Sequence, residues 1–162
     1  ILDGGSCAVG IESTILDFSR GNKKVLRLGG MSLEFLEETL GEKLEIQTSS
    51  SNPNAPGMLI SHYNPGKKVI VGKSISELLN ERIGEWANLR IGVLAFKNFQ
   101  PEIDRKLQRV LSPSGNLTEA AQNFFTMLRE FNTLPVDVVL AAWLPDTGLG
   151  RAINDRLKRA AS

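Results

Sequence analysis

The apolar positions of the chain follow two patterns that meet at a proline-containing gap. From Cys7 to Asp17 they alternate, with Cys7, Val9, Ile11, Ser13 and Ile15 on one face and Ala8, Glu12, Thr14 and Leu16 on the other, which predicts a strand. Lys24 to Leu28, KVLRL, predicts a second strand after the turn-like SRGNK. Gly29-Gly30 then leads to Ser32, the expected N-cap of a short helix that carries Leu33, Leu36 and Leu40 and stops at Gly41. The run TSSSNPNAPG, 48–57, has two prolines and almost no apolar side chain, so it continues neither a helix nor a central strand.

Beyond the turn signal Asn64-Pro65-Gly66, near-continuous apolar strands alternate with amphipathic helices. Strands are expected at 67–72 (KKVIVG), 90–96 (RIGVLAF), 107–112 (LQRVLS) and 136–142 (VDVVLAA). Ser74 with Glu77 opens a helix with Ile75, Leu78, Leu79, Ile83 and Trp86 inward. Asn116 with Glu119 caps another that carries Leu117, Ala120, Ala121, Phe124, Leu128 and Phe131, and a last helix runs from about Leu149 to Ala160. The pattern predicts an α/β fold: a small Rossmann-like, mostly parallel sheet domain over 67–162, preceded by a linker and a strand and helix segment too small to stand alone.

Composition narrows the function classes. With 162 residues, 41 % of them hydrophobic and 23 % charged, the chain can bury one full core or two modest ones. Nineteen basic against 18 acidic residues leave no overall field to hold a nucleic acid or an anionic membrane. The lone Cys7 has no intramolecular disulfide partner and no accompanying metal-ligand cluster, so a small buried thiol and a reducing, cytoplasmic setting are expected. No apolar run approaches the ~18 residues of a membrane span, and no signal-peptide pattern is present. The chain opens ILDGGS without an initiator methionine and reads as a piece of something longer.

Most standard chemistries are then pruned. The first turn of the α/β domain, VGKSIS, has one glycine, so the dinucleotide fingerprint is missing. The loops SPSGN, 112–116, and DTGLG, 146–150, could face an anion, but ordinary helix capping accounts for both. Ser61 and His62 are sequence neighbours without a nucleophile elbow, so no triad is assigned. Arg151, Arg156, Lys158 and Arg159 of the last helix, partly paired with Asp155, read as a solvated face, with direct RNA binding as an alternative. Three polar residues stand where the local pattern favours apolar ones: Ser13, Arg27 and Tyr63, the only tyrosine. From the residues alone each reads first as structural, through a buried hydrogen bond, a salt bridge or ring packing, with a ligand contact as the alternative.

The ordered set DGGSCAVGIESTILDFS, VLRLGG, APGMLISHYNPGK and GLGRAINDRLKRAA resembles the threonylcarbamoyl-AMP synthase family in its long, two-domain Sua-type form, and the resemblance spans the chain. It implies that residues 1–43 are the C-terminal tail of a YrdC-like catalytic domain, 44–66 an interdomain linker and lid, and 67–162 the Rossmann-like C-terminal domain, the whole being a C-terminal fragment. Family members are nucleotidyltransferases that join L-threonine, bicarbonate and ATP, with Mg2+ accompanying the ATP, into threonylcarbamoyl-AMP and pyrophosphate. A tRNA-modifying transferase machinery then moves the threonylcarbamoyl group to an adenosine of tRNA. By that resemblance Ser13 binds L-threonine, Arg27 and Tyr63 bind ATP, and Pro56, Gly57, Met58 and Leu59 form the lid; no acid-base or covalent catalytic residue, no metal ligand and no bound organic cofactor are assigned. The fragment alone is expected to be inactive. A non-catalytic regulatory or ligand-binding module, or a tRNA-binding module resting on Arg156 and Lys158, is the alternative.

Overall fold

The structure is a computed structural model that describes residues 2, 5, 7–21, 23–48, 63–81 and 83–162, with the side chains of Arg20, Ile83 and Glu85 left out. The expected inward position of Ile83 therefore lies outside the described side chains.

The larger unit is built on four parallel strands: β4 (Lys68–Gly72), β5 (Ile91–Ala95), β6 (Gln108–Val110) and β7 (Val138–Ala142), in the order β4-β7-β5-β6. β7, the last strand in sequence, lies between β4 and β5, with Val69 opposite Val139 and Val93 opposite Leu140. Strands buried on both faces must be apolar throughout, and β5 is buried at every position. One face packs Val93, Val138 and Leu140 against Ile75, Leu78 and Trp86, from α2 (Ile75–Glu81) and α3 (Ile83–Trp86). The described parts of this stretch, Ile75–Glu81 and Ile83–Trp86, are helical as expected, and the Trp86 indole N–H donates to the Leu78 carbonyl at 3.0 Å. The other face packs Val69, Leu94 and Val139 against Phe124 and Leu128 of α4 (Leu117–Glu130) and Ile153 and Leu157 of α5 (Leu149–Ala160).

The smaller unit is a three-stranded sheet in the order β1-β2-β3, from β1 (Ile15–Asp17), β2 (Lys24–Arg27) and β3 (Glu45–Ile46), with α1 (Leu33–Leu40). Ser32 caps α1 by accepting from the Phe35 N–H, and Gly41 closes it, as the sequence predicts. Val25, Leu28, Leu33, Leu36 and Leu44 form a core completed by Ala152 of α5. The last helix is therefore buried twice, by the large sheet along one stripe and by the small unit along another.

Two expectations fail here. Only Ile15–Asp17 of the expected Cys7–Asp17 strand is a strand, because the preceding residues bond elsewhere: the Ala8 carbonyl accepts from the Gln122 side chain and the Glu12 carbonyl from the Gly30 N–H. Cys7, expected to be buried, is exposed on this segment. Among the described residues no helix is long and apolar enough to cross a membrane.

Candidate functional site

The tripeptide Glu12-Ser13-Thr14 is the organising element, and each of its residues is tied to a different part of the chain. The Thr14 hydroxyl donates to the Met31 carbonyl at 2.9 Å and accepts from the Met31 N–H at 3.1 Å, locking the tripeptide to the end of the Gly29-Gly30 turn. A Cβ on Gly29 would lie 2.3 Å from the Ser13 carbonyl carbon, so only glycine lets the two backbones approach this closely. That approach brings the neighbouring Arg27 within reach of Ser13.

Arg27, at the end of β2, donates from Nε to the Ser13 carbonyl at 2.9 Å and from Nη2 to the Ser13 hydroxyl at 3.0 Å. Ser13 is exposed and Arg27 half-buried, so a hydroxyl and a guanidinium open together toward solvent from one fixed geometry. A guanidinium presents five donors in a planar fork, which suits a phosphate as well as a backbone carbonyl.

Tyr63 reaches the same place from 51 positions further along the chain. Its hydroxyl donates to Glu12 Oε1 at 2.5 Å, and its ring lies 5.3 Å from that of Phe125 on α4. The backbone of Tyr63 has φ of 69°, a left-handed conformation that costs on the order of 1 kcal/mol or more for a residue with a bulky side chain. Burial and the hydrogen bond to Glu12 push the phenol up to about 12, although the cations of Arg156 and Arg27 pull the other way. Those two opposing charges place Arg27, Tyr63 and Arg156 in one electrostatic neighbourhood.

The third tie is Arg156. It is 0 % exposed, donates to Glu12 Oε2 from Nε at 2.9 Å and from Nη2 at 2.6 Å, and lies 5.9 Å from the centre of the Tyr63 ring. Burial alone would raise the Glu12 carboxyl, but the Tyr63 donor and the Arg156 charge outweigh it and hold the group below its ordinary value. The expectation of a solvated basic face on α5 is thus corrected: Arg159 is 4 % exposed as well, paired with Asp155 and donating to the Thr48 carbonyl. A reading of the helix as an RNA footprint loses Arg156, since a cation enclosed between two units is not presented to phosphates.

The DTGLG loop holds an anion of the protein's own. Glu34 of α1 accepts from the Thr147 hydroxyl and the Gly148 N–H, both at 3.3 Å, and pairs with Arg151 Nη1 at 3.0 Å. At the SPSGN loop, Asn116 accepts from the Thr118 and Glu119 N–H groups, which is the expected cap. The Glu119 carboxylate, rather than completing a capping box, takes the hydroxyls of Ser112 and Ser114.

The structure therefore gathers all three predicted contact residues that it describes, Ser13, Arg27 and Tyr63, around one tripeptide. Pro56, Gly57, Met58 and Leu59 lie outside the described residues. Sequence reasoning missed Glu12 as a site residue and placed Arg156 on a solvated face. The available signals were a carboxylate beside Ser13 and the spacing of Ala152, Arg156 and Arg159, which share a second face of α5.

Comparison with known proteins adds a consistent set of likenesses. A family model, threonylcarbamoyl-AMP synthase, C-terminal domain, matches residues 31–162. The chain is similar to the threonylcarbamoyl-AMP synthase of Pyrococcus abyssi (strain GE5 / Orsay), 31 % identical over 172 residues, covering 99 % of this chain and 48 % of that protein. The synthase of Bacillus subtilis (strain 168) is 30 % identical over 166 residues, with the same coverage of 99 % and 48 %. The chain thus spans about half the length of these curated relatives. Among solved structures, P. abyssi Sua5 complexed with L-threonine aligns with a TM-score of 0.80 at 31 % identity, covering 98 % of this chain and 48 % of that one. A variant of the same protein, with a consecutive histidine and tyrosine both changed to alanine, aligns with a TM-score of 0.78 at 28 % identity, covering 98 % and 47 %.

Proposed function

Because this chain belongs to the threonylcarbamoyl-AMP synthase family, matching its C-terminal domain, we propose that the full-length protein carrying it makes threonylcarbamoyl-AMP and pyrophosphate from L-threonine, bicarbonate and ATP. The threonine amine captures carbon dioxide, released from bicarbonate, as a carbamate. A carbamate oxygen then attacks the α-phosphorus of ATP, and the bond to the β-phosphate breaks to release pyrophosphate. Mg2+ arrives with ATP as part of the substrate. The mixed anhydride is the form in which the threonylcarbamoyl group passes to the machinery that modifies tRNA.

One observation carries this reading: the 3.0 Å contact between Ser13 Oγ and Arg27 Nη2. Attack on phosphorus requires the amino-acid end and the phosphate end of the reacting pair to meet, so the groups that hold them must be neighbours. Ser13 holds threonine, and Arg27 holds the nucleotide phosphates and stabilises the charge that develops as pyrophosphate departs. Tyr63 lies against the nucleotide from the linker side. Support for placing it in the site comes from the P. abyssi variant altered at an adjacent histidine and tyrosine, since His62 and Tyr63 are the only such residues of this chain.

In this reading residues 1–43 close the catalytic domain, 44–66 form the linker that covers the cleft, and 67–162 form the family's C-terminal domain. A lid over 56–59 would keep water from a hydrolysable product. Because the chain spans about half the length of its relatives, the expected outcome in this reading is that these 162 residues by themselves release no pyrophosphate.

The test is pyrophosphate release by the full-length protein with ATP, magnesium, L-threonine and bicarbonate. Release should require both threonine and bicarbonate, and Arg27→Ala should lower turnover by about 100-fold or more, as loss of a charge-stabilising donor does elsewhere. Ser13→Ala should raise the KM for threonine about tenfold while leaving that for ATP nearly unchanged. A folded full-length protein that releases pyrophosphate without threonine, or not at all, would overturn the assignment.

A further inference from the structure

Resting on that reading, we propose that Arg156 is a positioning residue for the reaction: one guanidinium from α5 holds the residue beside Ser13 and the residue beside Arg27. Nε and Nη2 grip the Glu12 carboxylate at 2.9 and 2.6 Å, and Nη1 donates to the Leu28 carbonyl at 2.6 Å and to the Ala152 carbonyl at 2.9 Å. Glu12 precedes Ser13 and Leu28 follows Arg27, so the threonine and phosphate contacts are each one peptide from the same side chain.

The third contact residue is held through the same carboxylate. Arg156 takes Glu12 Oε2, which leaves Oε1 to accept the Tyr63 hydroxyl at 2.5 Å. The Gly30 N–H donates to the Glu12 carbonyl at 2.9 Å, so the backbone on both sides of the Arg27 contact is pinned by the tripeptide that Arg156 secures.

The geometry calls for arginine. A planar fork can bond a carboxylate on one side and a carbonyl on the other, whereas a lysine ammonium is a single point that cannot span Glu12 and Leu28 together. The side chain is 0 % exposed, so it does not touch substrate itself; it acts through Glu12 and Leu28. This gives the C-terminal domain a direct mechanical part in the site: it supplies the post to which the threonine and ATP contacts are tied.

The experiment uses the full-length enzyme with Arg156→Lys and Arg156→Met. Each is compared with wild type by thermal midpoint, by the KM for L-threonine and for ATP in pyrophosphate release, and by amide exchange at Gly30. Both KM values should rise together by about tenfold or more at temperatures where the variants are folded, and Arg156→Lys should regain thermal stability without regaining either KM. A merely structural ion pair would lower the midpoint alone, so KM values within about twofold of wild type in a folded variant would overturn the proposal. Where Arg156→Met does not fold, Arg156→Lys decides. Gly30 exchange needs no catalysis and should speed up about tenfold in Arg156→Lys. Unchanged exchange would sink the positioning role whatever the activity, whereas a folded wild type that releases no pyrophosphate sinks only the synthase reading.

Discussion

Replacing Glu12 by glutamine should be legible directly on Tyr63, because that phenol is the chain's only tyrosine and its ionisation can be followed by near-ultraviolet absorbance. In the folded protein burial, then the hydrogen bond and charge of Glu12, carry the phenol from its ordinary 10.0 to about 12. The rise is 12 minus 10, two units, which corresponds to ~2.7 kcal/mol at full value. Tyr63 is only half-buried, so solvent screening leaves about 1 kcal/mol of that as stability. The folded value lies above the unfolded one, so this contribution is fully present below pH 10 and is lost as the pH rises from 10 toward 12. Glu12→Gln removes the carboxylate that repels a phenolate and leaves the charges of Arg156 and Arg27, which favour it. The midpoint should then fall by on the order of one unit, with alkaline unfolding setting in at correspondingly lower pH. A wild-type midpoint near 10, or one unmoved by Glu12→Gln, would mean that the phenol does not sit in the Glu12 and Arg156 cluster.

Two further substitutions separate packing from surface charge. A Cβ on Gly150 would lie 2.0 Å from the Pro145 carbonyl oxygen, so Gly150→Ala should cost about 3 kcal/mol or more in urea denaturation; a loss under about 1 kcal/mol would contradict the packing of α5 against that loop. Glu34 lies below its ordinary carboxyl range because its own backbone N–H, the Gly148 N–H and the Arg151 charge favour the anion, so its contribution exists above the ordinary value of 4.5 and disappears as the pH falls through the lowered one. With its side chain 45 % exposed, Glu34→Gln should change stability by less than about 1 kcal/mol and reduce the dependence of the thermal midpoint on salt; a large loss would refute the view of it as a surface contact.

The α/β unit was readable because its central strands β5 and β7 are apolar on both faces and its helices carry their caps in sequence. β4, β5 and β7 fall within the expected segments, and Ser32 and Asn116 cap as predicted. The stretch before β1 misled for a physical reason: alternation predicts a strand only where a neighbouring strand supplies the ladder, and here the partners are a helix side chain and a glycine turn. Arg156 misled differently. Its position beside Ile153 and Leu157 looks like the rim of an amphipathic helix, where a long cationic side chain ordinarily reaches water. A second unit covers that rim, and only the fold reveals the cover. Ser13, Arg27 and Tyr63 could be named from sequence as polar intrusions. Their meeting at Glu12 could not, because it depends on contacts across a gap of 51 residues to Tyr63 and 144 to Arg156.

That last separation sets a schedule for the nascent chain. At 5–20 residues per second, the 144 positions between Glu12 and Arg156 take roughly 7 to 30 s to translate. Local strands and helix turns form in microseconds, so the small unit is repeatedly sampled long before its guanidinium exists. Throughout that interval the Glu12 carboxylate has water instead of Arg156 to satisfy it, and the backbone around Ser13 has no post to hold it. The cluster is therefore a late product of synthesis, finished only when α5 docks and a ribosome has already made everything else that it needs from this chain.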